Sequence, residues 1–197
     1  MAVNEHFQVA IVGHSFVRRM ATYAHLRQSA NLGLDETVFN VSFIARGGLK
    51  VHQLYPLFHE IVHASRDVLF LEIGSNDLTT SGAVEVGDNV LAFANYLTVM
   101  GEVRKVVISQ MYFRDANTST YYVDGDFNNR VFQYNQYMHA ATKSFPNIAF
   151  WSHRGIWADW TKYLVDGVHF NAEGNRKYFN SVRGAVVAAV NQLVTSQ

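Results

Sequence analysis

Short apolar runs alternate with longer stretches of helical periodicity along the chain. Phe7–Val12, Val38–Ile44, Val68–Ile73, Val103–Met111 and Ile148–Trp151 have the length and the β-branched and aromatic content of strands. Between them, apolar residues recur at helical spacing over Phe16–Ser29, Val51–Ser65, Val86–Met100 and Asn128–Phe145, and again over Ala172–Val194. Runs such as Val-Leu-Phe-Leu-Glu-Ile are apolar at successive positions, as strands covered on both faces are, which implies parallel strands joined by right-handed crossovers. The pattern predicts an α/β fold: a three-layer α/β/α sandwich around a five-stranded parallel sheet. Tyr112–Phe127 mixes Asn, Thr, Ser, Asp and Gly with aromatic residues and reads as a loop over the carboxyl edge of that sheet. With no internal repeat, low-complexity tract or Pro-, Gly- or Ser-rich linker, residues 1–197 read as a single domain.

Composition narrows the chemistry. At 49% hydrophobic residues the chain can bury a substantial core without a staple. It has no cysteine, which excludes disulfides, thiolate-ligated zinc and a cysteine nucleophile and leaves a cytoplasmic location as the expectation. The first residues lack a basic region followed by an apolar stretch, and no run of 18 apolar residues follows, so neither secretion nor a membrane span is expected. Lys plus Arg and Asp plus Glu balance at 16 each, which disfavours nucleic-acid binding by this domain alone.

Four motifs carry the functional signal: Gly13-His14-Ser15, Gly47-Gly48, Gly74-Ser75-Asn76-Asp77 and Asp166-Gly167-Val168-His169. The first three each follow a predicted strand, so they should emerge together at strand carboxyl ends. Ser15 would then open a helix, where the partial positive charge of the N-terminus favours an anion. The Gly-Gly pair can aim the Gly48 N–H into a cleft, and Asn76 can add a side-chain amide. Three such donors around one oxygen stabilise an acyl-transfer transition state, each by roughly 3–4 kcal/mol. His169 would take the Ser15 proton, with Asp166 fixing its tautomer. Taken singly, each motif has an ordinary structural reading: a helix cap, a plain turn, turn chemistry, and a structural Asp-x-x-His with Asn171 capping the last helix. Their order and their element context favour the joint reading.

With these blocks the chain resembles the SGNH (GDSL) hydrolase superfamily, from the Ser15 block through the Asp166–His169 block. The resemblance implies Ser15 as nucleophile, His169 as base with Asp166 as its partner, and an oxyanion hole from the Ser15 and Gly48 N–H groups and the Asn76 amide. It also implies the flavodoxin-like sheet order 2-1-3-4-5, with the site at the switch point between the first and third strands. His14 departs from the pattern, standing where the family usually has Asp. Gly-His-Ser-Phe-Val-Arg-Arg and Asp-Gly-Val-His-Phe-Asn also look like the esterase domains of LINE-type retrotransposons, and the compact length resembles intracellular platelet-activating-factor acetylhydrolases.

The expectation is therefore a serine esterase acting on carboxylic esters, short acyl (acetyl) esters of a lipid or carbohydrate first, with no metal or organic cofactor. Its expected partners are a small-molecule ester or lipid and a second copy as a homodimer. Under the retrotransposon likeness, further segments of a larger polyprotein would carry any nucleic-acid binding. Arg46 is a candidate for an anionic substrate group, and Tyr112 and Phe113, with other aromatics up to Tyr137 such as Tyr121 and Tyr122, for the walls of an acyl pocket; from Phe132 onward a core role fits equally. Two alternatives compete. One is a non-catalytic binding module that has kept the fold. The other is a zinc peptidase, because His59-Glu60-Ile61-Val62-His63 matches His-Glu-x-x-His, although its helix ends soon after and no clear third ligand follows.

Overall fold

The computed structural model describes residues 6–119, 121, 124–156 and 159–195. Five parallel strands, β1 (Phe7–Gly13), β2 (Phe39–Ala45), β3 (Val68–Glu72), β4 (Lys105–Ser109) and β5 (Ile148–Trp151), form one sheet in the order β2-β1-β3-β4-β5. The helices are α1 (Ser15–Leu26), α2 (Phe58–Ala64), α3 (Ala83–Met100), α4 (Phe127–Ala141) and α5 (Ala172–Thr195).

Strand alternation explains the layers. Side chains of successive strand residues point to opposite faces, and in β1, β3 and β4 each face carries buried apolar residues. Val9, Ile11, Val68, Phe70 and Val107 face one way and pack with α1 (Phe16, Val17, Met20) and α5 (Tyr178, Val182, Val186, Val190). Ala10, Val12, Leu69, Leu71, Val106 and Ile108 face the other way and pack with α2, α3 and α4 through Ile61, Val90, Leu97, Val131 and Met138. Burying each large apolar side chain contributes about 1.5–3 kcal/mol. This is the expected α/β/α sandwich.

The differences from the sequence pattern have local causes. Val51–Leu57, expected as α-helix, is a 310 turn leading into α2. Pro56 lies within it, and a proline withholds the N–H an α-helix would use. β2 is an edge strand in which only Ile44 is fully buried, and its outward Asn40 donates to Gln8 Oε1 at 2.8 Å. The 112–126 segment contains no helix or strand among its described residues. α5 starts where Asn171 Oδ1 accepts from the Gly174 N–H at 3.0 Å, a third-residue cap of about 1 kcal/mol that matches the expected cap.

Candidate active site

The chain crosses from β1 outward to β2 and returns to β3, so the crevice at the carboxyl ends of β1 and β3 is a topological switch point. Three of the four motifs end there. Ser15 is the first residue of α1, and its N–H belongs to the group of helix-terminal donors without an intrahelical acceptor. Gly47 and Gly48 turn just past β2. Gly48 has φ +74°, open to glycine and strained for a residue with a β-carbon. Asn76 follows β3 in a turn closed by bonds from Asp77 N and Leu78 N to Gly74 O, both 3.0 Å. One Asn76 amide proton goes to Leu49 O at 3.0 Å, which orients the amide and leaves its second proton for the cleft. Asp77 takes the Val51 N–H on both carboxylate oxygens at 3.3 Å, tying the β3 turn to the segment after Gly48.

The fourth motif arrives from the other end of the chain. Gly167, at φ +75°, lies against the backbone of Ser119 and Asp115, where a β-carbon would clash, and its carbonyl accepts from Asp115 N at 2.7 Å. This close approach turns the chain so that His169 reaches Ser15: His169 Nε2 lies 2.9 Å from Ser15 Oγ. Asp166 Oδ2 lies 2.8 Å from His169 Nδ1, while Oδ1 accepts the N–H groups of Val168 (3.1 Å) and His169 (2.7 Å). An ionised carboxylate only accepts, so Nδ1 carries the imidazole proton and Nε2 is free to receive one from Ser15. For His169, burial lowers the pKa, Asp166 works against this, and the charges of Arg19 and Arg114 add to the lowering. For Asp166, burial raises the pKa, but the His169 N–H and ring and the Val168 N–H outweigh it, and the net direction is down. Both shifts favour an unprotonated base beside an ionised partner.

His14 serves the start of α1. It is the N-cap of α1, with Nδ1 accepting from Phe16 N at 3.5 Å. Burial, aided by the charges of Arg114 and His169, lowers its pKa to about 3, so the ring is neutral. Its Nε2 stands 3.6 Å from Glu72 Oε1. Glu72, buried at the end of β3, is pushed up to about 7 by burial, against hydrogen bonds from Ser109 and from Tyr178 OH (3.2 Å). Ser109 Oγ continues to His153 Nε2 at 2.9 Å, and His153 Nδ1 to Ser181 Oγ at 2.8 Å. This buried chain joins β3, β4, the segment after β5 and α5.

Ser15, Gly48, Asn76 and His169 line one cleft of about 320 Å³. The residues expected to meet substrate are distributed differently. Tyr112 is buried, stacked on His153 (5.0 Å between centroids) and on Phe16 (5.7 Å), within the core behind the site. Phe113 packs against the helical layer of α3 and α4 and edge-on to Trp160 at 5.9 Å. Arg46 is exposed, and its N–H extends the β1 pairing by donating to Gly13 O at 3.1 Å. None of the three lines the cleft. Arg18, Arg19, Arg114 and Tyr121 do, with Tyr121 edge-on to His169 at 5.4 Å. Tyr122 lies outside the described residues. Tyr134 is core, whereas Phe132 is exposed.

Arg114 is the residue sequence reasoning missed. It is 7% exposed, held by reciprocal bonds between its backbone and the Asn128 amide (both 2.8 Å), with its guanidinium 4.2 Å over the Phe127 ring. Nη2 donates to Ser75 O (3.1 Å) and Ser75 Oγ (3.0 Å). The only hint in the sequence is a lone arginine in a loop assigned to the carboxyl edge. His59 and His63 are exposed on α2, and among the described residues no three His, Asp or Glu side chains gather as metal ligands.

Comparison with known proteins agrees with this fold. The family model described as GDSL-like Lipase/Acylhydrolase matches residues 11–177. No curated protein matches the chain. Among solved structures, a GDSL-like lipase from Bacteroides thetaiotaomicron superposes with a TM-score of 0.72 at 16% identity, covering 92% of this chain and 88% of that one. An acetylxylan esterase from Geobacillus stearothermophilus gives 0.68 at 13% identity, covering 92% and 94%. At these identities the likeness is one of fold.

Proposed function

We propose, from the premise that the chain belongs to the GDSL-like lipase/acylhydrolase family and is a carboxylic-ester hydrolase, that it cleaves short acyl esters, acetyl esters first, through an acyl-enzyme on Ser15. The observation that carries this reading is the line from Asp166 through His169 to Ser15, with contacts of 2.8 and 2.9 Å. Ser15 Oγ attacks the ester carbonyl while His169 Nε2 takes its proton, and Asp166 stabilises the imidazolium. The carbonyl oxygen gains charge and is met by the N–H groups of Ser15 and Gly48 and the free amide proton of Asn76. Collapse expels the alcohol, protonated by His169. Water activated by the same imidazole then attacks the acyl-Ser15 carbonyl, and the acid leaves with Ser15 regenerated.

The cleft of about 320 Å³ has room for a short acyl ester, and the acetylxylan esterase among the structural neighbours is named for acetyl esters. The test is turnover of p-nitrophenyl esters from acetyl to palmitoyl by the wild type and by Ser15→Ala. Acetyl should be favoured, and the variant should lose on the order of 10⁴-fold or more in kcat with its melting temperature unchanged. Retained turnover in the alanine variant refutes the nucleophile, and a preference for palmitoyl refutes the short-acyl reading.

A further inference from the structure

The cleft beside Ser15 is cationic. Arg18, Arg19 and Arg114 line it, and among the described residues no Asp or Glu does. Arg19 is engaged, with Nη2 3.6 Å from Asp166 Oδ2 behind the imidazole. Arg18 and Arg114 have no carboxylate within 4.0 Å among the described residues.

A surface arginine without a partner is unremarkable; a buried one is not. Arg114 is over nine-tenths buried, its Nε has no hydrogen-bond partner among the described residues, and its guanidinium meets Ser75 and the face of Phe127. Removing a cation from water is costly unless an anion compensates it. Burial lowers the Arg114 pKa only to about 10, so it stays charged at neutral pH. Arg18, three residues after Ser15 on the same helix face, lines the same cleft and lies against Gly47. A methyl group at Gly47 would come within 3.3 Å of Arg18 Nη1, so the glycine leaves room for the guanidinium.

We propose that the ester cleaved here carries an anionic oxygen group, a phosphate or a carboxylate, held by Arg114 and Arg18 next to the Ser15 nucleophile. The inference rests on the proposed esterase activity and adds its substrate class. A planar guanidinium suits such groups through paired N–H donors. A cationic cleft also draws an anionic ester in from solution.

The experiment pairs each anionic ester with a neutral partner of similar size, using the full chain. On the acyl side, mono-p-nitrophenyl glutarate is compared with its methyl ester. On the alcohol side, 2-phosphoethyl acetate is compared with 2-methoxyethyl acetate, read by acetate release. At least one anionic ester should exceed its partner in kcat/KM by about ten- to a hundredfold, the range of a charge-assisted hydrogen bond, and the winning arm identifies both the anion and its side of the scissile bond. Arg18→Met and Arg114→Met should each bring that ratio toward one, whereas Arg183→Gln, an equal charge change on the exposed face of α5, should leave it in place. Should Arg114→Met fail to fold, Arg18→Met at its exposed position carries the test, together with competitive inhibition of the wild type by inorganic phosphate that weakens in salt. Neutral esters turned over as fast as both anionic ones, or a preference indifferent to both arginines, overturns the proposal while leaving the esterase reading intact. A wild type that cleaves none of the four esters overturns both.

Discussion

Replacing Asn76 by alanine separates catalysis from scaffolding, because the side chain has one proton for each. One N–H goes to Leu49 O at 3.0 Å and the other is free in the cleft. In the ester reaction the free proton meets charge that develops only in the transition state, so its loss should lower kcat on the order of 10²–10³-fold, about 3–4 kcal/mol, with KM nearly unchanged. The proton on Leu49 sets the stability effect. Leaving that carbonyl without its partner costs about 1 kcal/mol, a drop of roughly 2–4 °C in melting temperature for a chain of this size. Asp77, still holding the Val51 N–H, keeps the loop tied. Asn76→Asp is the sharper companion, since it preserves shape, supplies no donor and places negative charge beside the developing oxyanion. It should fall at least as far in kcat. The assay is steady-state hydrolysis of p-nitrophenyl acetate alongside thermal melting. Asn76→Ala with kcat within threefold of wild type and only a lowered melting temperature would show that the amide is a loop clamp, and the oxyanion assignment would fail.

Two further outcomes follow from the electrostatics. In the proposed reaction His169 works unprotonated, and burial, with the charges of Arg19 and Arg114, holds its pKa below the ordinary value. The acid limb of kcat/KM should therefore have its midpoint below pH 6.5, and Arg19→Gln, which removes a charge that disfavours the imidazolium, should move it upward; a midpoint above 6.5 in the wild type would contradict the environment described for His169. Restoring the family's usual residue with His14→Asp should lower stability by about 2 kcal/mol, because a new carboxyl is buried beside Glu72. Glu72→Gln combined with it should recover most of that loss in thermal melts, and a His14→Asp variant as stable as wild type would show that the two sites do not interact.

The sheet was legible because the strand runs are apolar at successive positions. Val68–Glu72 can be buried on both faces only between two helical layers, and that fixes parallel strands. That Ser15, Gly48, Asn76 and the Asp166–His169 pair would come together was legible because the first three follow the ends of β1, β2 and β3 by a few residues, and the pair lies in the short connection before α5. Legibility fails where a role depends on distant partners. Arg114 is held at the cleft by Asn128, Phe127 and Ser75, all more than ten residues from it in sequence, and the link from Glu72 through Ser109 to His153 spans three separate segments. Tyr112 and Phe113 were assigned to the cleft because they follow a strand, but large aromatic side chains just past a strand end can equally turn back to fill the layer beneath, as both do here. Arg46 sits beside Gly47 and Gly48, yet it does not line the cleft, and its N–H pairs with Gly13 O at the end of β1.

The central claim is that Ser15 is the attacking group, and covalent trapping tests it most directly. The native protein is treated with a fluorophosphonate, its intact mass is measured, and the adduct is mapped by peptide sequencing. The account predicts one adduct per chain, on Ser15, with esterase activity lost in proportion to labelling and no adduct in Ser15→Ala. An adduct on another residue, or esterase activity that persists in fully labelled protein, would contradict it.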